Sequence, residues 1–163
     1  MMNLKNLRIT PMTSRRLLLT AALATSSCAY AAEHSIPCST LPDAVQQRSK
    51  SLLENGTTMH GCVKDVSAGK TTYEIELLTP QGSKDVTLSA TGDVLEVEQQ
   101  VDPATLPPPV AAAFAKAATG GKLGKVESLT RQGQLIAYES TVVKAGRHRE
   151  LAFRPDGTPM KAD

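Results

Sequence analysis

The chain of 163 residues has no tryptophan, three tyrosines and two phenylalanines. So thin an aromatic content argues against surfaces that grip single strands by base stacking. It also removes the large anchors on which tight protein interfaces usually turn. Histidine and cysteine number three each, with no CxxC spacing, so a zinc site has too few ligands at suitable intervals. The apolar run at residues 17–24 falls well short of the roughly 18 residues a membrane-crossing helix needs. The chain is expected to bind no nucleic acid, to span no membrane and to carry no metal or other cofactor.

What is present begins with a targeting profile. Lys5, Arg8, Arg15 and Arg16 precede the apolar run, and Ala29-Tyr30-Ala31 places small residues where a signal peptidase reads, predicting cleavage between Ala31 and Ala32. Residues 1–31 then form a signal peptide and the mature protein is periplasmic or secreted. Ser14-Arg15-Arg16-Leu17 resembles a twin-arginine export signal, the plainer alternative being a general secretory leader. Cys28 could instead accept a lipid, although Thr25-Ser26-Ser27 precedes it. Removing four basic residues turns a formal charge of +2 into about −2, so the basicity of the whole chain belongs to the leader and nucleic acid loses its electrostatic argument. Cys38 and Cys62 remain, an even pair in an oxidising compartment, and are predicted to form a disulfide. A soft-metal site from Met59, His60 and Cys62 is the competing reading.

A shift of 65 residues superimposes much of the mature chain on itself. Thr40-Leu41-Pro42 returns as Thr105-Leu106-Pro107, Val45 as Val110, Gly56 as Gly121, Tyr73-Glu74 as Tyr138-Glu139 and Gly92 as Gly157. Between these the register slips, Val63 and Val66 matching Val126 and Leu129 best. The boundaries that follow are an N-terminal segment over 32–39, a first repeat over 40–101 and a second over 102–163.

In each repeat Thr40 or Thr105 reads as an N-cap before prolines, Val45, Leu52 and Leu53 recur at helical spacing, and Gly56 closes the helix. An alanine-rich stretch ending at Gly120-Gly121 predicts a short second helix. The period then becomes two. Tyr73, Ile75 and Leu77 share one strand face while Glu74 and Glu76 share the other, and strands through Val86 and Leu88, then Leu95 and Val97, continue a meander. The expected fold class is α+β: two tandem repeats, each one N-terminal helix packed on a three- to four-stranded antiparallel sheet. Residues 101–104 make too short a hinge for independent domains, so the sheets lie side by side or run together.

The Leu-Pro-x-x-x-Val helix starts at Leu41 and Leu106, the Tyr-Glu strands at Tyr73 and Tyr138 and the glycine turns at Gly92 and Gly157 resemble the PepSY-like family. That family includes tandem-repeat proteins related in fold to the secreted β-lactamase inhibitor protein (BLIP). The resemblance spans nearly the whole chain from Thr40 onward. It implies a non-enzymatic envelope protein, in a family that holds inhibitory or chaperone-like segments of secreted peptidases and inhibitors of secreted enzymes. The aromatic-rich concave surface of the inhibitor branch has no counterpart here, which argues against β-lactamase as a target.

No nucleophile, base or metal constellation marks an enzyme. His34, His60 and His148 stand in no recognisable motif, and the last lies in a basic turn, Lys144-Ala145-Gly146-Arg147-His148-Arg149. Charge distribution is more telling. Alternation places Glu74, Glu76, Asp85, Glu96 and Glu98 on the open face of the first sheet, a candidate surface for a basic envelope protein, with a peptidase among the candidates, or for a cationic ligand. The plainer reading is a solvated face that keeps an open sheet from edge-to-edge pairing. The function expected is a periplasmic binding or inhibitory module, with a small-ligand or metal-ion sensor as the alternative. Tyr73 and Tyr138 either pack in the core or line a groove between repeats.

Overall fold

Proline at the helix starts and strict alternation in the strands set the elements of the chain. The computed structural model describes residues 34–67 and 69–160. The expected leader, its cleavage at Ala31/Ala32 and Cys28 lie outside these residues. Strand β1 is His34–Ser35 and helix α1 is Asp43–Ser51, followed by β2 (Thr58–Ser67), β3 (Lys70–Thr79), β4 (Gly82–Ser89) and β5 (Val94–Val101). Helix α2 is Pro108–Ala117, followed by β6 (Lys122–Arg131), β7 (Gln134–Lys144), β8 (Arg147–Phe153) and β9 (Pro159–Met160). No described helix is long and apolar enough to cross a membrane.

The nine strands form a single antiparallel sheet in sequence order. This overturns the expected α+β fold of two helix-plus-sheet repeats: two short helices accompany one continuous sheet. The join is the β5–β6 ladder, six residue pairs from Glu96↔Arg131 to Val101↔Val126. Separate sheets would leave β5 and β6 as bare edges with unpaired N–H and C=O groups, and pairing them removes both edges.

The helices lie on one side of the sheet over two core clusters. Leu41 and Val45 pack with Tyr73, Ile75, Leu77, Val86 and Leu88, and Val110 and Phe114 pack with Val126, Val142, Leu151 and Phe153. Phe114 meets Phe153 edge to face, with centroids 4.9 Å apart, a geometry the ring quadrupoles favour. Tyr73 is buried and Tyr138 packs against the second cluster, so both tyrosines are packing residues.

Local details depart from the sequence reading. Thr40 caps no α-helix: its Oγ1 donates to the Pro37 carbonyl (2.7 Å) within a 3-10 turn, as Thr105 Oγ1 does to Asp102 O (2.7 Å). The N-caps are Pro42 and Pro107, which offer no side-chain acceptor. Helix α1 ends at Ser51 rather than near Gly56, whereas α2, at ten residues, is short as expected. Val66 is about half exposed.

Gly92 (φ +83°) and Gly157 (φ +82°) set how closely each helix meets the sheet. A Cβ at Gly92 would stand 2.8 Å from the Ala44 carbonyl oxygen, and one at Gly157 2.7 Å from that of Pro109. The left-handed backbone and the lack of room act together, so Gly92→Ala and Gly157→Ala are each expected to cost about 2 kcal/mol, read from urea unfolding midpoints.

Cys38 and Cys62 are joined by a disulfide with Cα atoms 5.4 Å apart. The bond ties the segment before α1 to β2, next to the hydrogen bond from Ile36 N to Cys62 O (2.9 Å). It occupies the thiol that the soft-metal reading with Met59 and His60 required.

Candidate functional site: an acidic sheet face

Side chains alternate across a strand, so residues out of phase with the core point away from the helices. Ile75 and Val86 belong to the core, which sets Glu74, Glu76 and Asp85 on the open face. Register carries the assignment across the sheet. Gly61, Glu76, Asp85, Glu98, Leu129 and Ala137 are successive cross-strand partners from β2 to β7. The neighbouring row runs Val63, Glu74, Thr87, Glu96, Arg131. All five acids singled out from the sequence therefore share one face, three of them directly side by side.

The second half contributes what the sequence reading missed. Glu127 is paired with Gln100 on β5 and Glu139 on β7, so these two carboxylates extend the face. Oxygens of Asp85, Glu98 and Glu127 lie within 4.8 Å of one another. Leu129, matched by the repeat to Val66, sits opposite Glu98 and is almost fully buried on the open side. The register is unbroken from Val126 to Leu129, so alternation counted from the core residue Val126 sets Glu127 and Leu129 on the open face.

Ion pairs temper the charge. Lys125 Nζ meets Glu127 Oε1 at 2.7 Å and also donates to Ser83 Oγ (3.1 Å), while Arg131 Nε pairs with Glu96. None of Glu76, Asp85 and Glu98 is in an ion pair with a described residue. The Glu76 carboxylate lies back over Gly61, where a Cβ would collide with it. A cleft of about 560 Å³ opens here, with Leu129 and Val143 among its floor residues and Glu98, Glu127, Glu139 and Arg131 around it.

Burial and crowding act on these acids together. Burial chiefly, then the charges of Glu127, Glu96, Glu139 and Asp85, push the Glu98 carboxyl from its ordinary 4.5 up to about 7. Asp85 is also raised, by burial first; Lys125 opposes the rise while Glu127 and Glu76 add to it. For Lys125, burial alone would lower the pKa, but its hydrogen bond to Glu127 and the charges of Glu127, Asp85 and Glu98 hold it above the usual lysine range. Such a surface is primed for positive charge.

No family model matches the chain, and no curated protein matches it. Solved structures do. A BLIP-like protein from Bacteroides fragilis is 20% identical with a TM-score of 0.55, covering 77% of this chain and 85% of its own. The fold is BLIP-like. A DUF2874 family protein from Bacteroides ovatus shares the BLIP-like fold at 19% identity and TM-score 0.57, over 75% of this chain and 86% of that one. A Bacteroides eggerthii protein, provisionally described as periplasmic, matches at 17% identity and TM-score 0.60, over 74% and 86%. At these identities the likeness carries the BLIP-like fold and not membership of the PepSY-like family.

Proposed function

We infer that the protein is a non-enzymatic periplasmic module that binds, and by binding inhibits or escorts, another envelope protein through a basic segment seated on the open sheet face. The observation that carries this reading is the run of Glu76, Asp85 and Glu98 on three adjacent strands with no ion-pair partner among the described residues. Like charges directly opposite one another destabilise a sheet, and a lysine or arginine side chain laid across the row relieves that repulsion. Leu129 and Val143 in the adjoining cleft offer apolar contact to the stem of such a side chain. The periplasmic location is supported by the leader profile, the disulfide and the provisional description of the B. eggerthii relative in fold. A peptidase is the partner class that the family resemblance suggests.

The test is capture from a periplasmic extract of the host by the wild type and by a Glu76→Gln, Asp85→Asn, Glu98→Gln triple variant, followed by mass spectrometry. The wild type is expected to retain a stoichiometric protein, and the variant to lose it by tenfold or more in affinity while unfolding at higher denaturant. Unchanged capture with improved stability sinks the reading and leaves a solvated acidic face. The proximity of Asp85, Glu98 and Glu127 oxygens favours the ion-sensor alternative if Ca²⁺ titration of the wild type shows tight binding and the captured protein is absent.

A further inference from the structure

The basic turn of the second half lies on the opposite side of the sheet from the acidic face. Lys144 and Arg147 are directly opposed across the β7–β8 hairpin, and Val142 is opposed to Arg149. Val142 and Leu151 belong to the core, so strand alternation sets Lys144, Arg147 and Arg149 on the helix side, beyond the end of α2. The turn between them, Ala145 (φ +48°) and Gly146 (φ +73°), is left-handed at both positions, the geometry of a two-residue hairpin that holds its flanking residues in tight register.

Two of these three cations are fixed in place. Lys144 Nζ donates to the Thr119 carbonyl (3.0 Å), and the Arg149 guanidinium donates to that of Ala117 (3.2 Å). These carbonyls lie at and just beyond the α2 C-terminus, where unsatisfied acceptors and the helix dipole attract positive charge. Carbonyls position the cations without neutralising them, and an ammonium with three donors or a guanidinium with five keeps some in reserve. The third cation has no such role: the Arg147 guanidinium makes no hydrogen bond or ion pair with a described residue. No described carboxylate is in an ion pair with any of the three. A cleft of about 740 Å³ opens among them, lined by Ala117, Val142 and the hairpin.

We propose that the cleft formed by Lys144, Arg147 and Arg149 beside the end of α2 binds a phosphate group, carried by a soluble phosphate ester or by a phospholipid headgroup. Helix capping accounts for Lys144 and Arg149 alone; it does not account for a third positive charge held directly across the hairpin from the first. An arginine offers a planar fork that matches a phosphate with two parallel hydrogen bonds, and a lysine adds a point charge. The site is separate from the acidic face and stands or falls without it.

The experiment uses the full chain, exported and processed from its own gene, with two probes. Inorganic phosphate is titrated calorimetrically at low ionic strength, and co-sedimentation is measured with phosphatidylcholine vesicles with and without phosphatidylglycerol. Arg147→Gln is the test variant because its side chain caps nothing. Lys50→Gln in α1, with the same change in net charge, is the control. The expected result is binding that weakens about tenfold or more in Arg147→Gln, the scale of losing a charged hydrogen-bond partner, and that Lys50→Gln leaves intact. Binding of phosphate alone identifies a soluble ester; binding of phosphatidylglycerol vesicles that Arg147→Gln abolishes identifies a headgroup. No binding of either probe, equal binding by Arg147→Gln, or equal loss in Lys50→Gln overturns the proposal.

Discussion

Cutting the Cys38–Cys62 bond, by reduction or by Cys38→Ala, is expected to lower the free energy of unfolding by about 3 to 4 kcal/mol, the chain-entropy figure for a loop of this length. The bond closes 24 positions, and without it the unfolded chain regains the freedom that the ring removed. Little else secures the segment it holds. β1 is a two-residue strand at the edge of the sheet, and the 3-10 turn at Cys38–Thr40 contains no buried residue. Cys38 is the better position to change. Its side chain is half-buried, whereas Cys62 is 3% exposed and, left behind as a thiol, still fills its place as a small apolar group. Urea unfolding with and without reductant measures the loss. The denaturant slope should rise at the same time, since an uncrosslinked chain exposes more surface on unfolding. A loss under about 1 kcal/mol with an unchanged slope would assign the stability to the strands and helices alone, against the ring-closure argument.

The same bond shows what a sequence can and cannot display. An even cysteine pair after a leader predicts a disulfide because few other chemistries suit two isolated thiols in an oxidising compartment. The acid face over β3 to β5 was legible for a related reason: Tyr73, Ile75, Val86 and Leu88 keep strict period, and the glutamates and Asp85 fall out of phase with them. In β6 the phase follows only once Val126 is known to face the core: Glu127 and Leu129 then fall on the open face, which the repeat match of Leu129 to Val66 did not reveal. That the strands of the two halves run together in one sheet depends on β5 and β6 pairing across a connection that contains α2. That pairing is a backbone event between residues 96–101 and 126–131, and neither strand's own pattern encodes its neighbour. The threonines failed as N-caps because the same hydroxyl that could cap a helix closed a 3-10 turn one step earlier.

Glu98→Gln is expected to stabilise the protein by about 2 to 3 kcal/mol at pH 8, and by almost nothing at pH 4, by linkage between protonation and folding. In the folded protein Glu98 titrates near 7, burial being the larger cause and the surrounding carboxylates the second, against 4.5 when unfolded. Below 4.5 both states hold the proton, so the side chain imposes no cost. Between 4.5 and 7 the unfolded chain releases its proton while the folded chain keeps it, and stability falls as pH rises. Above 7 both are ionised and the full penalty remains. The shift corresponds to about 3.4 kcal/mol at 1.36 per pKa unit, reduced here because Glu98 is partly open to solvent and screened. Glutamine keeps the shape and removes the charge, so the variant's stability should stay flat over this window while the wild type declines. If wild type and Glu98→Gln run parallel from pH 4 to 8, the carboxylates of the open face do not strain one another. A basic partner would act on the same equilibrium: seating a cation beside Glu98 lowers its pKa, so binding near neutral pH should release protons to the buffer. Calorimetry in buffers of different ionisation enthalpy would count them, which makes Glu98 a reporter on whether the partner lands on this row of acids.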